Sequence, residues 1–212
     1  MKKILAMLLA LVMVLSLAAC ASTQPAAEPA ASSDAPAESG KTYTVGVCQL
    51  VQHEALDAAT QGFVDALKEA LGDAVTIDVQ NASGDSVNCG TIVNGFVSKG
   101  VDLIMANATP ALTAAVSATA DIPILGTSIT AYGVALDIDD FSGTVGGNVS
   151  GTSDLADLQK QAQMILDWFP ETKTVGLLFC SAEPNSRYQI DEVRKALEAQ
   201  GVTCEEFAFT DS

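Results

Sequence analysis

Apolar residues gather into short β-rich runs, and between the runs they recur at helical spacing. Positions 43–50 (Tyr-Thr-Val-Gly-Val-Cys-Gln-Leu) make one such run, which predicts a parallel strand buried on both faces. A polar loop with Gln52, His53 and Glu54 follows. Leu56, Ala59, Phe63, Leu67 and Ala70 then share a helical face, and Gly72 stands where a helix-terminating glycine belongs. Positions 75–79 predict the second strand. Asp85 can cap a second helix with Cys89, Ile92, Val93 and Phe96 on its apolar face and Gly100 at its end, although Gly90 and Gly95 weaken it. Positions 101–106 predict a third strand. Thr109 as N-cap and Pro110 at the first helical position then open an Ala-rich helix. A fourth strand is expected over 121–126, and 127–141 carries no clear pattern.

Gly146-Gly147-Asn148-Val149-Ser150-Gly151-Thr152-Ser153-Asp154 interrupts this rhythm, and behind it the rhythm restarts. Thr174-Val175-Gly176-Leu177 echoes Thr44-Val45-Gly46-Val47. Asp154 can cap a helix with Leu155, Leu158, Ala162, Ile165 and Phe169 on one face, stopped by Pro170. Positions 174–180 and 202–209 predict strands. Between them Ser186-Arg187-Tyr188-Gln189 fits a capping box, opening a helix that buries Ile190, Val193 and Leu197 and ends near Gly201. Strands alternating with helices imply parallel βαβ units, hence the α/β class. Two such units, 42–150 and 151–212, predict two lobes joined by a Gly-rich hinge, with a ligand cleft at their junction. The second unit stops where the first continues with two more strands and two helices, which predicts a C-terminal truncation of roughly 100 residues.

The N-terminus changes the picture of where the lobes work. Lys2 and Lys3 precede an apolar stretch too short to span a membrane, so 1–19 read as a secretory signal peptide. The stretch ends Leu17-Ala18-Ala19-Cys20, which resembles the lipobox of bacterial lipoproteins. That resemblance implies cleavage before Cys20 and lipid on its thiol and new N-terminus. Positions 20–41 then hold the lipidated cysteine and an Ala-, Ser-, Pro- and Glu-rich spacer that cannot bury enough surface to order itself. The expected location is extracytoplasmic, lipid-anchored to the membrane.

Net charge is −16 across the 212 residues, and removing Lys2 and Lys3 makes the remainder more acidic still. That argues against nucleic acid and against an anionic membrane surface as partners. Cys48, Cys89, Cys180 and Cys204 match no zinc spacing and read as small buried hydrophobes, with a disulfide open outside the cytoplasm but no pairing set by sequence.

Little here supports catalysis. His53 is the single histidine, there is no Gly-x-Ser-x-Gly elbow, and 146–153 spaces like a phosphate loop but has Thr152 where the lysine is needed. No metal or cofactor site is expected. In parallel sheets ligands bind beyond the C-terminal strand ends, which points to loops 49–54, 107–109, 126–130 and 181–186. Helix starts at Thr109 and Ser186 attract anions; Thr109, Ser128 and Ser186 add hydroxyl donors, and Glu54, Asp154 and Glu183 add acids. Such a set suits a zwitterion such as an amino acid, although Thr109, Asp154 and Ser186 are equally read as helix caps.

Four stretches together resemble the substrate-binding lipoproteins of ABC transporters, in the subgroup linked to tryptophan and tyrosine. They are Val47-Cys48-Gln49-Leu50-Val51-Gln52-His53-Glu54-Ala55-Leu56-Asp57, Ala106-Asn107-Ala108-Thr109-Pro110-Ala111, the 146–154 segment, and Ala182-Glu183-Pro184-Asn185-Ser186. The resemblance implies a type I periplasmic-binding fold: two Rossmann-like lobes of parallel sheet flanked by helices, the second incomplete here. It implies a hinge closure on a small-molecule ligand, an amino acid with an aromatic side chain favoured, and an ABC permease as partner; a receptor fed by the same fold is the alternative. It places Gln49, His53, Glu54, Asn107, Thr109, Ser128, Asp154, Glu183, Asn185 and Ser186 at or near the cleft. Ser128-Ile129-Thr130-Ala131 and Cys180-Ser181-Ala182 depart from the Thr-Asp-Pro and Asn-Pro-Gly expected at those places.

Overall fold

The computed structural model describes residues 40–210, so the signal peptide, Cys20 and nearly all of the spacer expected before them lie outside the described residues. Strands β1 (Tyr43–Gln49), β2 (Val75–Asn81), β3 (Leu103–Asn107), β4 (Ile124–Ile129) and β5 (Val149–Ser153) form an all-parallel sheet in the order β2-β1-β3-β4-β5. Helices α1 (Glu54–Leu71), α2 (Ser86–Lys99), α3 (Thr109–Ala118) and the single turn α4 (Tyr132–Ala135) connect them. A separate parallel sheet pairs β6 (Thr174–Cys180) with β7 (Thr203–Phe209), accompanied by α5 (Leu158–Trp168) and α6 (Pro184–Glu198). The two repeats thus build two sheets and not one.

The first sheet is covered on both faces, which is why β1 reads as a continuous apolar run. Val45 and Val47 pack with Met105, Phe63 and Leu67 on the α1 side. Cys48 packs with Cys89, Val93 and Phe96 of α2 and with Leu112 of α3 on the other. The closest approach is at Gly46, where a Cβ would come within 2.5 Å of the Phe96 ring. Both ends of α2 are set locally: the Asp85 carboxylate accepts the Val87 N–H at 2.7 Å, and Gly100 closes the helix in the left-handed region at φ 66°.

Segment 146–154 differs from the flexible crossover expected of it. Val149–Ser153 is the edge strand of the first sheet. Its glycine is a packing requirement: a Cβ on Gly151 would strike the Gly126 backbone and the Tyr132 hydroxyl. That hydroxyl donates to the Gly126 carbonyl at 3.1 Å, and burial pushes its pKa up to about 12. Asn148 pins the start of the strand, donating to the Ile122 carbonyl at 2.7 Å.

Three expected caps also move. Helix α3 has Ala108, not Thr109, at its N-cap position. Helix α5 is capped by Asp157, whose carboxylate accepts the Lys160 N–H at 3.0 Å, while the Asp154 N–H is drawn to the Ile129 carbonyl. Helix α6 begins at Pro184, which puts Ser186 inside its first turn. The fourth strand runs on to Ile129, and α4 occupies part of the stretch that showed no pattern.

In the second lobe Ala162, Leu197 and Val202 form a small core. Arg187 lies over the Phe179 ring and bridges Asp191 to Glu206 at 2.6 Å each, tying α6 to β7. Among the described residues nothing covers Leu178 and Phe207, register partners in this sheet that are 72% and 53% exposed.

Gly46→Ala tests the close packing of α2 on β1. The added methyl meets a ring buried in the core, so the variant is expected to lose about 1–3 kcal/mol of stability in a denaturant melt.

Candidate functional site

A cleft of about 620 Å³ opens between the C-terminal strand ends of the two sheets. From the first lobe come Leu50 and Val51 after β1, Ser83 to Ser86 between β2 and α2, and Pro110 in α3. From the second come Cys180, Ala182, Glu183 and Ser186 around the start of α6, with Phe209 and Thr210 at the end of β7. The sheet order changes direction between β1 and β3, and the loops leaving these strands splay apart there, as parallel sheets with ligand sites do. A furrow of similar volume, about 640 Å³, lies between α5 and α6, lined mainly by long polar and charged side chains and away from the strand ends.

The first wall is held by backbone bonds. The Ala82 N–H donates to the Gln49 carbonyl at 2.9 Å and the Gly84 N–H to the Leu50 carbonyl at 2.8 Å, joining the loops after β1 and β2. On the second wall, the Ser181 N–H donates to the Phe209 carbonyl at 2.8 Å.

Beneath the first wall lies a buried polar network. Gln49 and Asn107 end β1 and β3 and are partners in register. The Thr60 hydroxyl of α1 donates to Gln49 Oε1 at 2.6 Å and accepts from Asn107 Nδ2 at 2.9 Å. Gln49 Nε2 also donates to Asp57 and to the Val51 carbonyl, and Asn107 Nδ2 to the Leu56 carbonyl. Both amides therefore support the cleft floor instead of lining it. Asn107 Oδ1 and Thr109 Oγ1 stay buried with no protein partner.

Helix ends supply the polar chemistry. Helix α2 is closed by its own Asp85, whereas α3 and α6 have no side-chain cap. Their first-turn N–H groups and the positive ends of their dipoles remain available to an anion. Pro110 and Ser186 bring these two ends to the cleft, with Asp85 and Glu183 as the acids on either side. Leu50, Val51, Ala182 and Phe209 give the same space an apolar part. The arrangement can hold a carboxylate at the helix ends, an ammonium at an acid, and an apolar side chain between.

The residues singled out in the sequence divide accordingly. Glu183 and Ser186 line the cleft, Thr109 stands beside Pro110 at its edge, and Asn185 is in the same first turn of α6 with a buried, unpartnered Oδ1. His53 caps α1, its Nδ1 accepting the Ala55 N–H at 3.2 Å; His53, Glu54 and Asp154 are exposed outside the cleft lining. Ser128 sits at the register shift of β4 with φ 56°, also outside the lining. The loop of Ser83, Asp85 and Ser86 was missed as lining, although its place after β2 was signal enough. Among the described residues no cluster of His, Cys, Asp and Glu could hold a metal ion, and no helix is long and apolar enough to cross a membrane.

Comparison with known proteins agrees with this geometry. The model of a family described as ABC transporter substrate binding protein matches residues 44–212. The chain belongs to that family. Its members are solute-binding proteins and not enzymes, and they work outside the cytoplasm. A tyrosine-binding protein of Clostridioides difficile is 36% identical over 91% of this chain, which spans 56% of that relative's length. A Streptococcus pneumonia domain solved with L-Trp is also 36% identical, with a TM-score of 0.73 over 80% of this chain and 58% of its own. A ligand-free, open substrate-binding protein with adhesive properties from Clostridium difficile has the same identity and coverages but a TM-score of 0.57. The fold is the type I periplasmic-binding fold with a partial second lobe.

Thr109→Val tests whether this unpaired buried hydroxyl serves a ligand. Removing an unpaired buried hydroxyl leaves the ligand-free protein as stable or more so, since an unsatisfied polar group costs about 1–3 kcal/mol. Thermal melts should show that, while affinity for a carboxylate ligand falls.

Proposed function

We propose that this protein captures an amino acid, with an aromatic side chain favoured, or a related carboxylate, in the inter-lobe cleft and delivers it to an ABC permease. The observation that carries the reading is the pairing of two uncapped helix N-termini with two acids around one partly apolar cleft. The ligand carboxylate would lie at the starts of α3 and α6, where Thr109 and Ser186 donate their hydroxyl protons. The ammonium would pair with Asp85 or Glu183, and the ring would lie among Leu50, Val51 and Phe209. The relatives' tyrosine and tryptophan ligands support the ring preference. Lobes 42–150 and 151–212 would close on the ligand by a hinge motion. Lipid on Cys20, followed by the 20–41 spacer, would keep the lobes at the membrane within reach of the permease.

Isothermal titration calorimetry with L-tryptophan, L-tyrosine, L-leucine and a panel of sugars tests the reading. Aromatic amino acids are expected to bind most tightly. Ser186→Ala should weaken them about tenfold, the effect of one hydrogen bond to a charged group. Heat with sugars and none with amino acids would overturn the assignment. Separately, Cys20→Ala should move the protein from the membrane fraction of an expressing bacterium into the soluble extracytoplasmic fraction.

A further inference from the structure

Two buried thiols take no part in the cleft chemistry. Cys48 is on the face of β1 turned to α2, and Cys89 is in the first turns of α2. Both have no exposed surface and pack in the same buried cluster. Packing enforces the contact. Gly46 and Cys48 are two apart on one strand face, Phe96 and Cys89 seven apart on one helix face, and the Phe96 ring occupies the space beside Gly46. The strand and helix are therefore drawn together along this seam. The neighbouring Cys89 thiol and burial push the Cys48 pKa above the ordinary thiol range, which disfavours the reactive thiolate in the folded protein.

We propose that Cys48 and Cys89 are joined by a disulfide in the exported protein, formed before β1 and α2 close over them. The proposal rests on the family's location outside the cytoplasm, where disulfides form and persist. The oxidant is a disulfide, either a small molecule or a protein. One cysteine thiolate attacks an oxidant sulfur and expels the first thiol; the second cysteine attacks the protein sulfur of the mixed disulfide and expels the other. The protein gives up two electrons and two protons, and the oxidant becomes two thiols. The bond encloses α1 and β2 and ties Leu50 and Val51 covalently to Asp85 and Ser86, which line the same cleft.

The test is peptide mapping of the full chain recovered from outside a bacterial host, unfolded in N-ethylmaleimide without reductant. The expected result is a linked pair of peptides carrying Cys48 and Cys89, two hydrogens lighter than their sum and alkylated only after reduction. Reductant should also lower the Tm of the parent protein and leave that of Cys89→Ser unchanged. Alkylation of both thiols before reduction, or linkage of either to another cysteine, would overturn the proposal. So would a bond that forms on refolding with oxidised glutathione but is missing from the exported chain. Ligand binding measured on the same sample keeps the proposed function a separate question.

Discussion

The hydrogen-bonded amides at the ends of β1 and β3 are the constraint on which the cleft depends. A parallel sheet sends its ligand loops out from its C-terminal edge, so those loops are only as well placed as the strand ends. Gln49 and Asn107 lie side by side at that edge, buried, and would be costly there without partners. The Thr60 hydroxyl of α1 bonds to Gln49 Oε1 and Asn107 Nδ2 and thereby ties the helix to two strands. The network is directional where the surrounding apolar contacts are not. It fixes the register of the chain just before it turns into Leu50 and Val51 on one side and Thr109 and Pro110 on the other.

From this base the two walls differ. The first rests on a five-stranded sheet covered on both faces, and its loops are bonded backbone to backbone. The second rests on two strands and a small core, with α6 held to β7 by the Arg187 ion pairs. Both walls present uncapped helix ends to the space between them.

Sequence pattern revealed the order of elements and the doubled α/β architecture, because burial on both faces of a parallel sheet leaves runs such as 43–50 with no polar break. Local devices were legible as well: Asp85 and Gly100 end α2 through bonds and backbone angles within a few residues. What failed was set by distant contacts. Thr109 is not a cap because the Ala108 N–H is held by the Thr127 carbonyl and Ala108 takes φ 89°, which starts the helix one position earlier. Asp154 is held by Ile129 on the neighbouring strand. Strand β5 hid behind Gly151, whose smallness answers to Tyr132 and the Gly126 backbone and not to strand propensity. For the site, helix ends and loops could be placed, but the roles of Gln49 and Asn107 could not: an amide at a strand end reads the same whether it faces a ligand or a hydroxyl on a neighbouring helix.

The exposed pair Leu178 and Phe207 bears on how this 212-residue chain behaves in bulk. Two large exposed apolar side chains favour contact between molecules of this chain, while its net charge of −16 pushes them apart. Only the repulsion is screened by salt, over a range that shrinks to about 3 Å at 1 M. Colloidal stability is therefore expected to fall as ionic strength rises, the reverse of what an exposed basic patch would give, and light scattering across a salt series would register the crossover.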